Sequence, residues 1–275
     1  ITPNHLDRHG TMDRYIAAKA QIVEHQRPGD VTVLYRDDPI LRPMGRQAGQ
    51  TRKVSCFSLE GSVERGAFLE GDALVLCNGN QKETVCRTEE LRLLGRHNTA
   101  NVLGACALAR EAGAPPSALR QAATSFAGVE HRLQMVRERG GIRWYDDSIA
   151  TAPERTVAAL LAFPEDDVVL LAGGRDKHLP WQDFADLAWK RVRHLILFGE
   201  AMDLIEEAMW ASASTAIDSC RIHRAGTMER AVQLAAEVSV RGDVVLLSPG
   251  GTSFDAYQNF AERGLLFQHL VKSLE

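Results

Sequence analysis

Apolar residues recur at Met12, Tyr15, Ile16, Ala20 and Val23, the i, i+3, i+4 spacing of an amphipathic helix. The pattern predicts a helix over 11–25, stopped by Pro28-Gly29, with Lys19 inside its stripe. Short β-rich runs at 31–35, 54–57, 67–69 and 73–77, separated by glycines and charges, predict a strand-rich sheet edge. Two helices are expected at 98–109 and 116–126, the second opened by Pro115-Pro116-Ser117 and closed by Gly128. Beyond that the pattern becomes regular. Apolar strands at 142–145, 168–172, 194–198 and 244–247 alternate with helical runs at 153–161, 181–191, 202–211 and 228–238. Strand-helix-strand alternation predicts a parallel α/β sheet. The change of pattern sets a domain boundary near Val129, dividing the chain into 1–128 and 129–275.

Composition narrows the function classes. With 275 residues, 45% hydrophobic and 25% charged, the chain has the apolar content for a sizeable core, which excludes disorder. A net charge of −4 gives no support to nucleic acid or an anionic membrane as the main partner. No apolar run approaches the roughly 20 residues that span a bilayer. Five cysteines without a C-x-x-C pair indicate neither a zinc knuckle nor a disulfide framework, so a cytoplasmic home is expected. The chain opens Ile1-Thr2-Pro3-Asn4 with no initiator Met and no signal segment, and reads as a fragment lacking its original N-terminus.

Three constellations can carry chemistry. The first pairs His5, an imidazole able to ligate a divalent cation or simply to bond its own turn, with Lys19. An ammonium in a buried stripe must be paired, snorkelled to water, or converted by carbon dioxide to a metal-binding carbamate. The second is Asn98 and Asn101, three apart at a helix start, whose carboxamides can read the donor and acceptor edge of a base; Asn98 as a plain N-cap is the alternative. The third is a set of polar loops at strand ends, DDSIAT (146–151), GGRDK (173–177) and SPGGTSFD (248–255), where open α/β sheets bind ligands. Gly173-Gly174 is not G-x-G-x-x-G, which argues against a nicotinamide oxidoreductase.

Taken in order, PNHLDRHG (3–10), the helix through Lys19, GRHNTAN (95–101), HRLQ (131–134), DDSIAT, GGRDK and SPGGTSFDAYQNFAERG (248–264) resemble the Mur ligases, most of all their glutamate-adding branch. The resemblance covers nearly the whole chain. It implies an α/β fold in which 1–128 is the second half of a central ATPase domain and 129–275 a Rossmann-like, parallel α/β C-terminal domain that binds glutamate. The glycine-rich phosphate loop, G-x-x-x-x-G-K-[ST], occurs nowhere in the chain.

The activity implied is ATP- and Mg2+-dependent addition of D-glutamate to UDP-N-acetylmuramoyl-L-alanine through an acyl phosphate, in peptidoglycan precursor synthesis, by a monomer. The fragment alone is expected to be inactive. An L-glutamate-adding or other Mur-type ligase, and a non-catalytic module of the same fold, are the alternatives. The resemblance makes His5 and a carbamylated Lys19 the metal site, and sets Asn98 and Asn101 by adenine and Asp147 on the ribose. Arg132 would reach the terminal phosphate, and Thr151, Lys177, Ser253 and Phe260 would surround the incoming glutamate. Closure near 129–132 would assemble these groups. One position departs from the family: Ile149 stands where a lysine is usual, removing a positive charge for which Arg175 and His178 are candidate replacements.

Overall fold

The computed structural model describes residues 1, 6–164, 167–213 and 220–274. It separates into two compact units, Ile1–Ala127 and Gly128–Glu275.

The first unit runs α1 (Leu6–His9), α2 (Met12–Glu24), β1 (Val31–Tyr35), α3 (Leu41–Ala48), β2 (Lys53–Ser58), β3 (Arg65–Glu70), β4 (Ala73–Asn78) and β5 (Gln81–Arg87). A 3-10 turn, Thr88–Glu90, leads to α4 (Arg96–Glu111) and α5 (Pro116–Ser125). Its sheet has the order β1-β2-β3-β4-β5, parallel through β3 and antiparallel beyond it. Leu74, Leu76, Val85 and Leu103 anchor the core between this sheet and α4 and α5. The close approach of α4 depends on Gly104, where an added Cβ would meet the Phe57 ring at 3.2 Å.

The stripe of α2 is real, but Lys19 is not part of its covered surface. Thr11 caps the helix by accepting the Arg14 N–H at 3.3 Å. Met12, Tyr15, Ile16, Ala20 and Val23 are half-buried, whereas Lys19 is exposed with its Nζ 5.6 Å from the Tyr15 ring centroid. Nothing in α2 is fully buried among the described residues. Of the alternatives open to it, Lys19 adopts the one in water, resting one helical turn from an aromatic face.

The second unit runs β6 (Gln134–Arg139), β7 (Ile142–Asp146), α6 (Pro153–Leu160), β8 (Val168–Gly173), α7 (Gln182–Arg191), β9 (Val192–Phe198) and α8 (Met202–Ser212). It continues with β10 (Arg221–Gly226), α9 (Met228–Val238), β11 (Val244–Gly250) and α10 (Phe260–Ser273). The six-stranded sheet has the order β10-β9-β8-β11-β7-β6, all parallel except β6. All six residues of β8 are buried, as expected for an interior parallel strand covered on both faces. Leu160, Phe184 and Ile205 pack on one face and Val232, Phe267 and Val271 on the other. The strand order has a functional consequence. Because β11 returns between β7 and β8, the carboxyl ends of these three strands, and the loops that follow them, are neighbours.

The five cysteines are free thiols, and all but the half-buried Cys56 are buried. Burial pushes Cys106 up to about 11 and Cys220 up to about 12. Among the described residues, no helix is long and apolar enough to cross a membrane.

Candidate functional site

The three strand-end loops of the second unit are built on backbone contacts too close for side chains. A Cβ on Gly174, at φ +93°, would lie 2.2 Å from the Thr252 carbonyl oxygen. That approach lets Arg175 and Thr252 exchange two backbone bonds of 2.8 and 2.7 Å, tying the loop after β8 to the loop after β11. Asp176 secures the former loop by accepting the Trp181 indole N–H at 3.0 Å and the His178 N–H at 2.6 Å. Above this base the Lys177 Nζ donates to the Thr151 Oγ1 at 3.2 Å, joining two sequence-predicted residues from loops that follow different strands. Ser253 is buried in the third loop, and Phe260 opens α10 half-buried, its ring edge-on to His131 at 6.2 Å.

Beneath the loops lies a buried polar layer. Arg263 is fully buried, and its guanidinium donates to the Ser148 Oγ at 3.0 Å, the Ser148 carbonyl at 2.8 Å and the Gly251 carbonyl at 3.2 Å. It therefore stitches the loop after β7 to the loop after β11. Desolvation brings this guanidinium down to about 10. Asp147 is 5% exposed and accepts the Leu133 N–H at 3.2 Å and the Ser248 hydroxyl at 2.8 Å. Desolvation lifts its carboxyl to about 7 despite both bonds. A ribose hydroxyl would have to share oxygens that are already bonded.

The charge missing at Ile149 is not resupplied by either candidate. Of its two candidate replacements, Arg175 is held in a bidentate pair with Glu200 at 2.8 and 3.0 Å. His178 has a fully exposed side chain, 3.6 Å from Asp176. Neither is an unmatched cation standing in for the usual lysine.

In the first unit, Asn101 donates to the Asn98 Oδ1 at 3.1 Å, and Asn98 donates to the Leu94 carbonyl at 2.7 Å. The pair shares one side of the first turn, as its spacing predicts. Asn98 is not the N-cap; Gly95, at φ +89°, occupies that position. Arg132, in the second unit, is exposed. His5 lies outside the described residues, so the expected metal pair is represented by Lys19 alone. Among the described residues, no group of three or more His, Cys, Asp or Glu is arranged to hold a metal ion. An exposed ammonium is itself no Mg2+ ligand, so Lys19 would serve a metal only as the carbamate.

A cavity of about 480 Å3 lies elsewhere, by β3, β4 and the end of α4, lined by Arg65, Cys77, Lys82, Arg110 and Glu111 among others. None of the sequence-predicted residues lines it. The strand-end loops, not this cavity, carry the convergent chemistry. The residues that sequence reasoning did not single out are those beneath the loops: Asp176, Trp181, Ser248, Arg263 and Gln268. Asp176, Ser248 and Arg263 lie within the GGRDK, SPGGTSFD and FAERG blocks; Trp181 and Gln268 gave no signal.

Comparison with known proteins decides the family. Residues 1–109 match the Mur ligase middle domain and residues 131–251 the Mur ligase, glutamate ligase domain. The chain belongs to the Mur ligase family. Among its relatives, the UDP-N-acetylmuramoylalanine–D-glutamate ligase of Symbiobacterium thermophilum is 42% identical over 100% of this chain and 59% of its own length. The protein of the same name from a Roseiflexus species is 40% identical over 99% of this chain and 59% of its own length. The chain thus spans about 59% of the length of these curated relatives. Solved structures share the fold. MurF of Acinetobacter baumannii superposes with a TM-score of 0.72 at 18% identity, over 99% of this chain and 58% of that one. A pseudomurein peptide ligase type C of Methanothermus fervidus gives 0.71 at 14% identity, over 100% of this Mur ligase chain and 62% of that chain.

Proposed function

We propose that the chain is the middle and C-terminal part of a UDP-N-acetylmuramoylalanine–D-glutamate ligase, acting in peptidoglycan precursor synthesis in the cytoplasm. ATP phosphorylates the alanyl carboxylate of UDP-N-acetylmuramoyl-L-alanine, giving an acyl phosphate. The amine of glutamate attacks that carbonyl, and the tetrahedral intermediate collapses to the amide with loss of phosphate. No covalent enzyme intermediate is required. Catalysis of this kind rests on positioning and on charge stabilisation.

The observation that carries the reading is the contact of Lys177 with Thr151 across two strand-end loops; Ser253 lies buried in the third such loop. An ammonium with two hydroxyls suits the carboxylates of a dicarboxylic amino acid, which need charge-assisted donors. Phe260 is assigned the apolar side of the glutamate site. Arg132 is the exposed cation for the terminal phosphate, the amide pair Asn98 and Asn101 receives adenine, and Asp147 receives the ribose in competition with Ser248. Mg2+ is expected to supply charge neutralisation at the phosphates, and Lys19 as a carbamate belongs to that expectation.

The test is an assay of the gene's whole product for phosphate release coupled to amide formation. Release is expected with ATP, UDP-N-acetylmuramoyl-L-alanine and D-glutamate together, and not when any one is omitted. Release with L-glutamate in place of D-glutamate, or none with either, overturns the reading. The 275-residue chain alone is expected to release none, because its sequence contains no phosphate-loop pattern.

A further inference from the structure

His131 has an unusual backbone, and so does the residue two places on. Their φ angles are +62° and +43° at His131 and Leu133, the left-handed region that side chains with a Cβ rarely enter. Such geometry persists only where surrounding bonds hold it. Here the bonds form a closed circuit. The His131 N–H donates to the Gln134 Oε1 at 2.9 Å, and the same oxygen accepts from the Gln268 Nε2 at 3.2 Å. Gln268 donates its other N–H to the Asp146 Oδ2 at 2.8 Å, and that oxygen also faces the His131 Nδ1 at 2.7 Å. The Ser148 N–H occupies the other Asp146 oxygen at 2.9 Å, and the Ile149 N–H donates to the His131 carbonyl at 3.1 Å. His131, Asp146 and Gln268 are 4%, 0% and 9% exposed, so water does not compete for these groups.

Gln268 is the member that closes the circuit. It sits on α10, and its two amide hydrogens serve the two acceptors that fix His131, one for the ring and one for the backbone. We infer that Gln268 is a positioning residue: it holds the ring and the left-handed backbone of His131, and through that residue sets the direction of the adjoining exposed Arg132. The Asp146 carboxylate fixes the Nδ1–H form of the imidazole, and Gln268 in turn orients that carboxylate. Packing brings α10 close enough, since a Cβ on Gly264 would stand 2.2 Å from the His131 Nδ1. The local inference stands on this geometry alone; its consequence for Arg132 in catalysis rests on the proposed ligase function.

The test exploits two side chains of similar length and different donor capacity. Gln268→Met keeps the packing and removes both donors, whereas Gln268→Lys can again donate to both acceptors. In Gln268→Met, amide exchange at His131 and Ile149 is expected to quicken by roughly tenfold, the scale of one lost hydrogen bond. Exchange at Val271, on the same helix, should stay within about twofold, and Gln268→Lys should recover most of the protection. Gln134→Met, which cuts the circuit from β6, should loosen the same two amides. Unchanged exchange at His131 and Ile149 in Gln268→Met overturns the inference, as does exchange that rises equally at Val271, or a folded Gln268→Lys that restores nothing. In the whole gene product, Gln268→Met should lower kcat by roughly tenfold while the KM for glutamate moves less than twofold. An altered KM with unchanged kcat would remove Arg132 from the inference. The exchange measurements decide the positioning role even in a protein without ligase activity.

Discussion

The two units hold their polar groups in different ways. In the second, the loops after β7, β8 and β11 rest on a layer of buried, mutually bonded groups, with Arg263, Asp146 and Asp147 all at or below 5% exposure. In the first, Lys19 and Asn101 are exposed, and α2 buries nothing fully among the described residues. A strand end at the centre of a parallel sheet is enclosed by neighbouring strands and by helices on both faces, so polar residues there must find protein partners. A helix lying at the margin of its unit carries no such demand. The second unit therefore holds its strand-end loops on a preorganised polar base, whereas in the first Lys19 and Asn101 stay open to water.

The sharpest way to break that contrast is Arg263→Leu. It leaves two carbonyls and a buried hydroxyl without their donor, and should destabilise the second unit by about 3–5 kcal/mol. Denaturant unfolding followed by a probe in each unit checks this, with the first unit expected to keep its own midpoint. Next comes Lys177→Ala in the whole gene product. Losing a charge-assisted bond should raise the KM for glutamate roughly tenfold to a hundredfold, with that for ATP nearly unchanged, in steady-state kinetics varying each substrate. Equal changes in both would remove Lys177 from the glutamate site.

The pH dependence of the second unit sharpens the comparison further. Burial holds His194 down to about 4, with His223 at 2.9 Å and Arg193 adding to the effect, so the pair is neutral in the fold. The unfolded imidazole binds its proton near 6.5, so this contribution is present above 6.5 and is lost as pH falls towards 4. Asp147 acts in the opposite sense. Its carboxyl titrates near 7 in the fold against 3.8 unfolded, so its contribution is full below 3.8 and is lost as pH rises through 7. Thermal unfolding across pH 4–8 should show both arms; Asp147→Asn should flatten the alkaline one and His194→Gln the acid one. The smallest effect is Lys19→Ala, expected to change the stability of the first unit by less than about 0.5 kcal/mol, as at other exposed positions. A larger loss in denaturant unfolding would show that Lys19 is held more firmly than its exposure indicates.

The sequence disclosed the alternation of the second unit because interior parallel strands such as β8 and β11 are unbroken apolar runs. It was silent on elements at margins. β10 carries Arg221, His223 and Arg224 on an edge, β6 is rich in charges, and β5 exposes its first four residues, so none shows an apolar run. α3 went unseen because Pro43 and Gly45 lie inside it. The alternatives for Lys19 stayed open for a related reason: periodicity locates a residue on a stripe but does not say what covers the stripe. The loops that carry Thr151, Lys177 and Ser253 were legible as short polar blocks. Arg263 and Gln268, which support them, bond to residues 115 and 122 positions away, a relation that no local spacing encodes.

The thiols of this chain have a practical consequence for following the molecule in solution. Cys77, Cys86, Cys106 and Cys220 are sealed in the cores, and desolvation keeps three of them in the unreactive protonated form. Cys56, half-buried, is pushed in the same direction by its own burial. A maleimide dye therefore meets a nearly silent background in the native protein. A single cysteine introduced at an exposed position, such as Lys19→Cys, would take the label selectively, giving an optical reporter on either unit without first rebuilding the core.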